Sequence, residues 1–204
     1  MFDYTESVNS DFFYSAMMMN SDMNYRTLND LTEHNAIFDY RGLHNLDLLN
    51  EIAKGNFDLK SDTVHKVKKL IDSFSDIEKI ANTYKQIATV NNIGVISCLD
   101  KYYPYNWKYL SGMPKVFYYS GNYSIVERMT LGGSVAVVGS RSPSKYAEYA
   151  TDDICKALGE KGIAIVSGMA YGIDRQAHIS SVNTSGGTIA VLAGGVDNIY
   201  PPKN

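Results

Sequence analysis

Three short stretches of this 204-residue chain collect the residue types that hold anions. The first is Gly139-Ser140-Arg141-Ser142, directly after the β-branched run Ser134-Val135-Ala136-Val137-Val138. A glycine at that point lets a ligand approach the backbone closely. The amides of Ser140 to Ser142 would then point out of the turn, where a helix N-terminus favours negative charge. Arg141 adds a planar fork of donors suited to a pair of phosphate oxygens. The second stretch is Ser167-Gly168-Met169-Ala170-Tyr171-Gly172, and the third is Ala193-Gly194-Gly195-Val196-Asp197. The competing reading is plainer: Gly139 eases a tight turn and Arg141 makes a surface ion pair. Three such loops at one sheet edge favour phosphate, with Gly139, Ser140, Arg141 and Ser142 as the expected contacts.

Other chemistries are less well served. Gly139-Ser140-Arg141-Ser142-Pro143-Ser144 lacks the second and third glycines of the dinucleotide fingerprint, and no Gly-Lys-Ser/Thr follows as in a P-loop, so no nucleotide cofactor is expected. Asp174 and His178 stand one helical turn apart and, with Ser167, suggest a hydrolase triad. Ser167 lacks the G-x-S-x-G elbow, however. The expectation is therefore structural: Asp174 caps a helix start and His178 braces a loop. Tyr146, Tyr171 and Tyr200 lie near the expected ligand edge and would stack on bases. Most other tyrosines, such as Tyr103, Tyr118 and Tyr119, are expected to pack a seam between two parts of the chain.

The elements that must position these loops can be read from periodicity. Val135–Val138, Ile163–Val166 and Thr188–Leu192 are short apolar runs of buried-strand type. Tyr146–Leu158 and Ile173–Val182 carry apolar residues at helical spacing between them. Strand, helix, strand, helix, strand with short connections means an α/β, Rossmann-like, doubly wound parallel sheet. Gly94–Cys98 and Lys115–Tyr119 read as two further strands. Residues 1–88 read as a small helical domain, SAM-like in type, and residues 89–204 as the Rossmann-like domain. Within the first, Leu43–Ile52 is one expected helix, a second starts at Ser61-Asp62, and a third covers Asp76–Ala88. Met17-Met18-Met19 suggests a pliable surface or, more simply, a core-filling piece of helix.

Bulk composition narrows the function classes. The formal net charge is −3, so any contact with a nucleic-acid backbone must be local. Cys98 and Cys155 sit beside apolar residues without metal-ligand spacing, and they read as buried free thiols with no metal site. No signal peptide and no membrane-crossing run is evident, which makes a cytoplasmic protein without a membrane partner the expectation.

The residues also match a family pattern. Val135-Ala-Val-Val-Gly-Ser-Arg141, Ser167-Gly-Met-Ala-Tyr-Gly-Ile-Asp-Arg-Gln-Ala-His178, Gly187-Thr-Ile-Ala-Val-Leu192 and Tyr200-Pro-Pro202 resemble the DNA-processing protein A (DprA/Smf) family in order and spacing. Asp100–Pro104 and Pro114–Asn122 resemble its lead-in strands. The resemblance covers about residues 92–204, and the helical first part is similar in placement alone. It implies a Rossmann-like protein that binds single-stranded DNA and hands it to the RecA recombinase in natural transformation. Such a protein acts as a homodimer and has no catalytic activity or cofactor. By the same resemblance Gly139, Ser140 and Arg141 would hold backbone phosphates, Ser167, Gly168 and Met169 would line the pocket, and Asp174 and His178 would be structural. Where the family's first loop continues to Tyr-Gly, this chain has Tyr146-Ala147. The family's Rossmann domain also runs on beyond Asn204, so a fragment or a shortened relative is expected. The enzyme alternative is a Rossmann-like nucleoside-monophosphate-processing protein, whose G-G-x-G-T motif is only faintly echoed by Gly194-Gly195-Val196-Asp197.

Overall fold

A computed structural model describes residues 4–37, 40–98, 103–110, 114, 116–126 and 132–202. The chain divides into two compact units. One comprises Met1–Tyr103 with Gly112–Phe117, and the other comprises Pro104–Ser111 with Tyr118–Asn204.

The first unit is built on helices α1 (Tyr4–Asn20), α2 (Tyr25–Glu33), α3 (Leu46–Ala53) and α4 (Ser61–Val90), with a short 3-10 turn at Tyr40–His44. Asn24 caps α2 by accepting from the amides of Arg26 and Thr27, and Asn45 caps α3 through the Leu48 amide. The two expected helices between Ser61 and Ala88 form one continuous α4. No glycine or proline interrupts residues 61–90. The buried positions Thr63, Val67, Leu70, Phe74, Ile77 and Ala81 alternate steps of four and three, which keeps one stripe inward along the helix. Against that stripe pack Phe13, Met17, Leu28, Leu31, Leu49 and Ile52. Met17 is fully buried whereas Met19 is exposed, so the methionine run enters the core by its first member. The imidazole of His44 stacks on Phe13 with ring centroids 4.4 Å apart. Buried Asp11 accepts a hydrogen bond from the Ser97 hydroxyl at the end of β1 (Gly94–Ser97). Strand β1 pairs with β2 (Val116–Tyr119) in a two-stranded sheet. Tyr103 belongs to this unit, where its ring tilts against Phe117 and its hydroxyl donates to the Pro114 carbonyl at 2.7 Å.

The second unit holds a three-stranded parallel sheet, β3 (Ser134–Ala136), β4 (Ala164–Ser167) and β5 (Thr188–Ala190), in that spatial order. Helices α5 (Lys145–Glu160) and α6 (Ile173–Ser181) make the two crossovers. The α/β, Rossmann-like class read from the sequence is what the chain adopts. The register sets Val135 beside Ile165 and Ile165 beside Thr188, so these three share one face of the sheet. Ile165 is buried with Cys155 of α5 and Ala177 of α6, and Val137 and Leu158 pack around them. Both helices thus cover the same face. Strand β3 is an edge among the described residues, which leaves Val138 largely exposed despite its apolar run. Between the helices, the Asp152 carboxylate accepts from Ser180 Oγ at 2.7 Å and Gln176 Nε2 at 3.3 Å. Both cysteines are free and buried, and burial pushes the Cys155 thiol above its ordinary pKa. No described helix is long and apolar enough to cross a membrane.

Candidate phosphate-binding loop at the sheet edge

The three glycine-rich stretches all lie at the carboxyl ends of β3, β4 and β5, the edge where open α/β sheets bind ligands. The first loop leaves β3 and enters α5, whose N-cap is Ser144. Its hydroxyl oxygen accepts from the Ala147 amide at 3.3 Å. Gly139, Ser140, Arg141 and Ser142 are all exposed.

What holds this loop is the second one. Asp174 is buried, and its carboxylate joins the two loops: Oδ1 accepts from the Gly139 amide at 3.4 Å, and Oδ2 from the amides of Gly168 at 3.1 Å and Ala170 at 3.4 Å. Three backbone amides thus donate to this buried carboxylate, which makes no ion pair among the described residues. The N-cap of α6 is Gly172, and no side chain caps that helix. Asp174 therefore works on the loops on either side rather than on the helix's own first turn.

Steric fit completes the clamp. Gly172 has φ +79, and a Cβ there would lie 2.2 Å from the Ser140 carbonyl oxygen and 2.9 Å from Arg141 Cα. A Cβ on Gly139 would lie 2.8 Å from Ile173 Cγ1. The Ile173 amide donates to the Ser140 carbonyl at 3.1 Å. Met169 is held at φ 61, a left-handed conformation that costs a residue with a side chain about 1–2 kcal/mol. Ser167 Oγ donates to the Val137 carbonyl at 2.6 Å and so ties the end of β4 to the end of β3.

These bonds decide which donors remain for a ligand. The amides of Gly139 and Gly168 are committed to Asp174, and the Ser142 amide donates to Ser140 Oγ at 3.1 Å. The amides of Ser140 and Arg141 have no partner among the described residues. Neither does the Arg141 guanidinium, which makes no ion pair there. The outward donor set is thus two successive amides, one guanidinium and the Ser140 and Ser142 hydroxyls, with exposed Lys145 at the start of α5. Successive free amides in a turn, with cationic side chains beside them, suit a phosphate oxygen rather than a neutral ligand.

Ser167, Asp174 and His178 do not form a relay. His178 is buried, and its Nδ1 lies 2.7 Å from Thr188 Oγ1, while that hydroxyl donates to the Ile165 carbonyl at 3.0 Å. The hydroxyl proton is thereby spent, so Nδ1 carries the imidazole hydrogen and Nε2 is a buried lone pair without a partner. Burial holds the imidazole below its ordinary pKa, partly offset by the Asp174 charge. No side-chain hydrogen bond joins any two of the three residues.

Tyr171 in the second loop is partly exposed, and Tyr146 and Tyr200 are more so. Tyr149, which the sequence reading passed over, is also exposed. Its position three residues after Tyr146 was the available signal. Tyr119 packs against Tyr123 within the second unit, with centroids 4.7 Å apart.

The chain is similar to known proteins in sequence and in fold. The chain is 35% identical over 112 residues to the DNA processing protein DprA of Bacillus subtilis (strain 168), covering 55% of this chain and 37% of that protein. It is 31% identical over 161 residues to protein Smf of Borreliella burgdorferi, covering 79% of this chain and 49% of that one. The X-ray structure of DNA processing protein A from Streptococcus pneumoniae superposes with a TM-score of 0.61 at 25% identity, over 95% of this chain and 61% of that chain. The chain thus spans half or less of the length of these two curated relatives. The model of the family described as DNA recombination-mediator protein A matches residues 94–204, which hold the whole clamped loop, and the chain belongs to that family.

Proposed function

We propose that this chain binds single-stranded DNA by its backbone, with phosphates seated on the Ser140 and Arg141 amides and the Arg141 fork. The observation that carries the reading is the loop itself: exposed, furnished with unpaired donors, and fixed from behind by Asp174 and Gly172. A preformed donor set loses little freedom when an anion arrives, which is what a site for repeated, sequence-independent phosphates requires. Family membership and the DNA-processing names of its relatives support the same ligand. Gly139, Gly168 and Ser167 serve by shaping the loop, Met169 lines its neighbour, and Asp174 and His178 are structural.

The role is non-catalytic and cofactor-free. Ser167, Asp174 and His178, the triad the sequence suggests, are each engaged in holding loops and strands. In the cell the bound strand would pass to the RecA recombinase during DNA uptake, with the protein a cytoplasmic homodimer. The test is a titration of fluorescent oligothymidylate at two salt concentrations with the chain and its Arg141→Ala variant. Binding that weakens with salt, and weakens further in the variant, supports the reading, because backbone contacts release counterions. Salt-insensitive binding of a free nucleoside monophosphate in place of the strand would instead favour the nucleotide-processing enzyme.

A further inference from the structure

Immediately beyond the clamped loop, α5 carries two aromatic rings that its own fold does not use. Tyr146 is 80% exposed and Tyr149 is 70% exposed. Neither makes a hydrogen bond or a ring contact among the described residues. They stand three positions apart on the helix, hence on one side of it and about 4.5 Å apart along its axis. Glu148 lies between them in sequence, but two residues turn it about 200° from Tyr146, to the far side of the helix. Asp153 returns to the Tyr146 side two turns later, which confines the aromatic face to the first two turns. Arg141 and Lys145 flank that face on the loop side, and both are exposed. The arrangement runs from free amides to cations to bare rings within ten residues, from Ser140 to Tyr149.

A tyrosine ring offers a large flat surface at low conformational cost, and leaving two of them in water is unfavourable unless something covers them. The cations and amides beside them select an anionic partner, and the flat faces select a planar one. Bases of a duplex already have both faces stacked, so an unpaired base is the occupant that satisfies both demands. We propose that Tyr146 and Tyr149 form a base-stacking face that receives unpaired bases of the strand whose phosphates lie on the Ser140–Arg141 loop. The proposal rests on the single-stranded DNA reading above and adds the residues that distinguish bare bases from paired ones.

The experiment compares two fluorescent probes of equal length and charge, oligothymidylate and a fully abasic backbone oligomer. Each is titrated with the chain and with Tyr146→Leu, Tyr149→Leu and the corresponding Phe variants, all checked for folding by circular dichroism. Leucine keeps the helix and removes the ring. The chain should bind oligothymidylate more tightly than the abasic oligomer. Each Leu variant should lose about 5- to 100-fold on oligothymidylate. Affinity for the abasic oligomer should stay within about twofold, and the Phe variants should keep the preference. Equal affinity of the chain for both probes would overturn the stacking face and leave the phosphate loop standing. Equal losses on both probes in the Leu variants would overturn it as well. Binding of neither probe by the folded chain would overturn the single-stranded DNA reading and this proposal with it.

Discussion

Removing the Asp174 carboxylate should loosen two loops at once. In Asp174→Ala the amides of Gly139, Gly168 and Ala170 lose their acceptor. Hydrogen bonds to a charged group contribute about 1.5–3 kcal/mol, and a donor left without a partner costs about 1–3 kcal/mol. Only the Gly168 bond is short, at 3.1 Å, and the other two are 3.4 Å, so full weight belongs to one bond and partial weight to two. Water can reach part of the emptied site, because loop one is exposed. The expected loss is therefore about 2–4 kcal/mol, with Asp174→Asn losing about half as much because one acceptor oxygen survives. Urea unfolding followed by Trp107 fluorescence suits the measurement, since this sole tryptophan lies in the second unit. Amide hydrogen exchange at Gly168 should quicken in parallel. DNA affinity should fall too, because the loop that presents Ser140 and Arg141 is no longer held. An Asp174→Ala variant with unchanged stability and unchanged Gly168 exchange would refute the clamp, and lost binding in such a variant would make Asp174 a ligand contact.

Three further outcomes follow from the same geometry. Gly172→Ala should lose more than about 1–3 kcal/mol, since it combines a positive φ with a Cβ driven into the Ser140 carbonyl, and calorimetric melting checks it. Because His178 has its pKa lowered by burial, the unfolded chain takes up a proton that the folded second unit refuses. Its contribution is fully present above the unfolded value of about 6.5 and is lost as pH falls from there through the folded value. Stability measured by Trp107-detected unfolding should fall as pH drops below about 6.5, and His178→Gln should flatten that dependence. In the first unit, Leu70→Ala should cost about 2–5 kcal/mol by opening a cavity in the α4 stripe, read by helical circular dichroism on urea titration.

How far the sequence discloses this molecule differs between its parts. The strands and helices of the second unit are legible because β-branched runs, glycine turns and a Ser144 cap each act over a few residues. The single length of α4 is not. Ser75-Asp76 looks like a helix start, yet a capping pair matters only where the chain breaks, and the stripe from Val67 through Phe74 to Ala81 gives it no reason to. Asp174 is the clearest case at the site. An acidic residue near a helix start reads as a cap. The bond that defines its work reaches Gly139, thirty-five residues away, which only the packing of β3 beside β4 brings within range. The same holds for Gly139, whose small size is required by Ile173 of α6. Ser140 and Arg141 stand out only once the amides already committed to Asp174 and Ser140 Oγ are set aside.

On the proposed reading, a strand's phosphates meet the outward amides of a loop locked from behind. Amide chemical shifts of the isotope-labelled chain, followed while oligothymidylate is added, test it most directly. Large shifts are expected at Ser140 and Arg141 and small ones at Gly168 and Ala170, whose hydrogens stay on Asp174. Shifts centred away from residues 139–142, or as large at Gly168 as at Arg141, would contradict it.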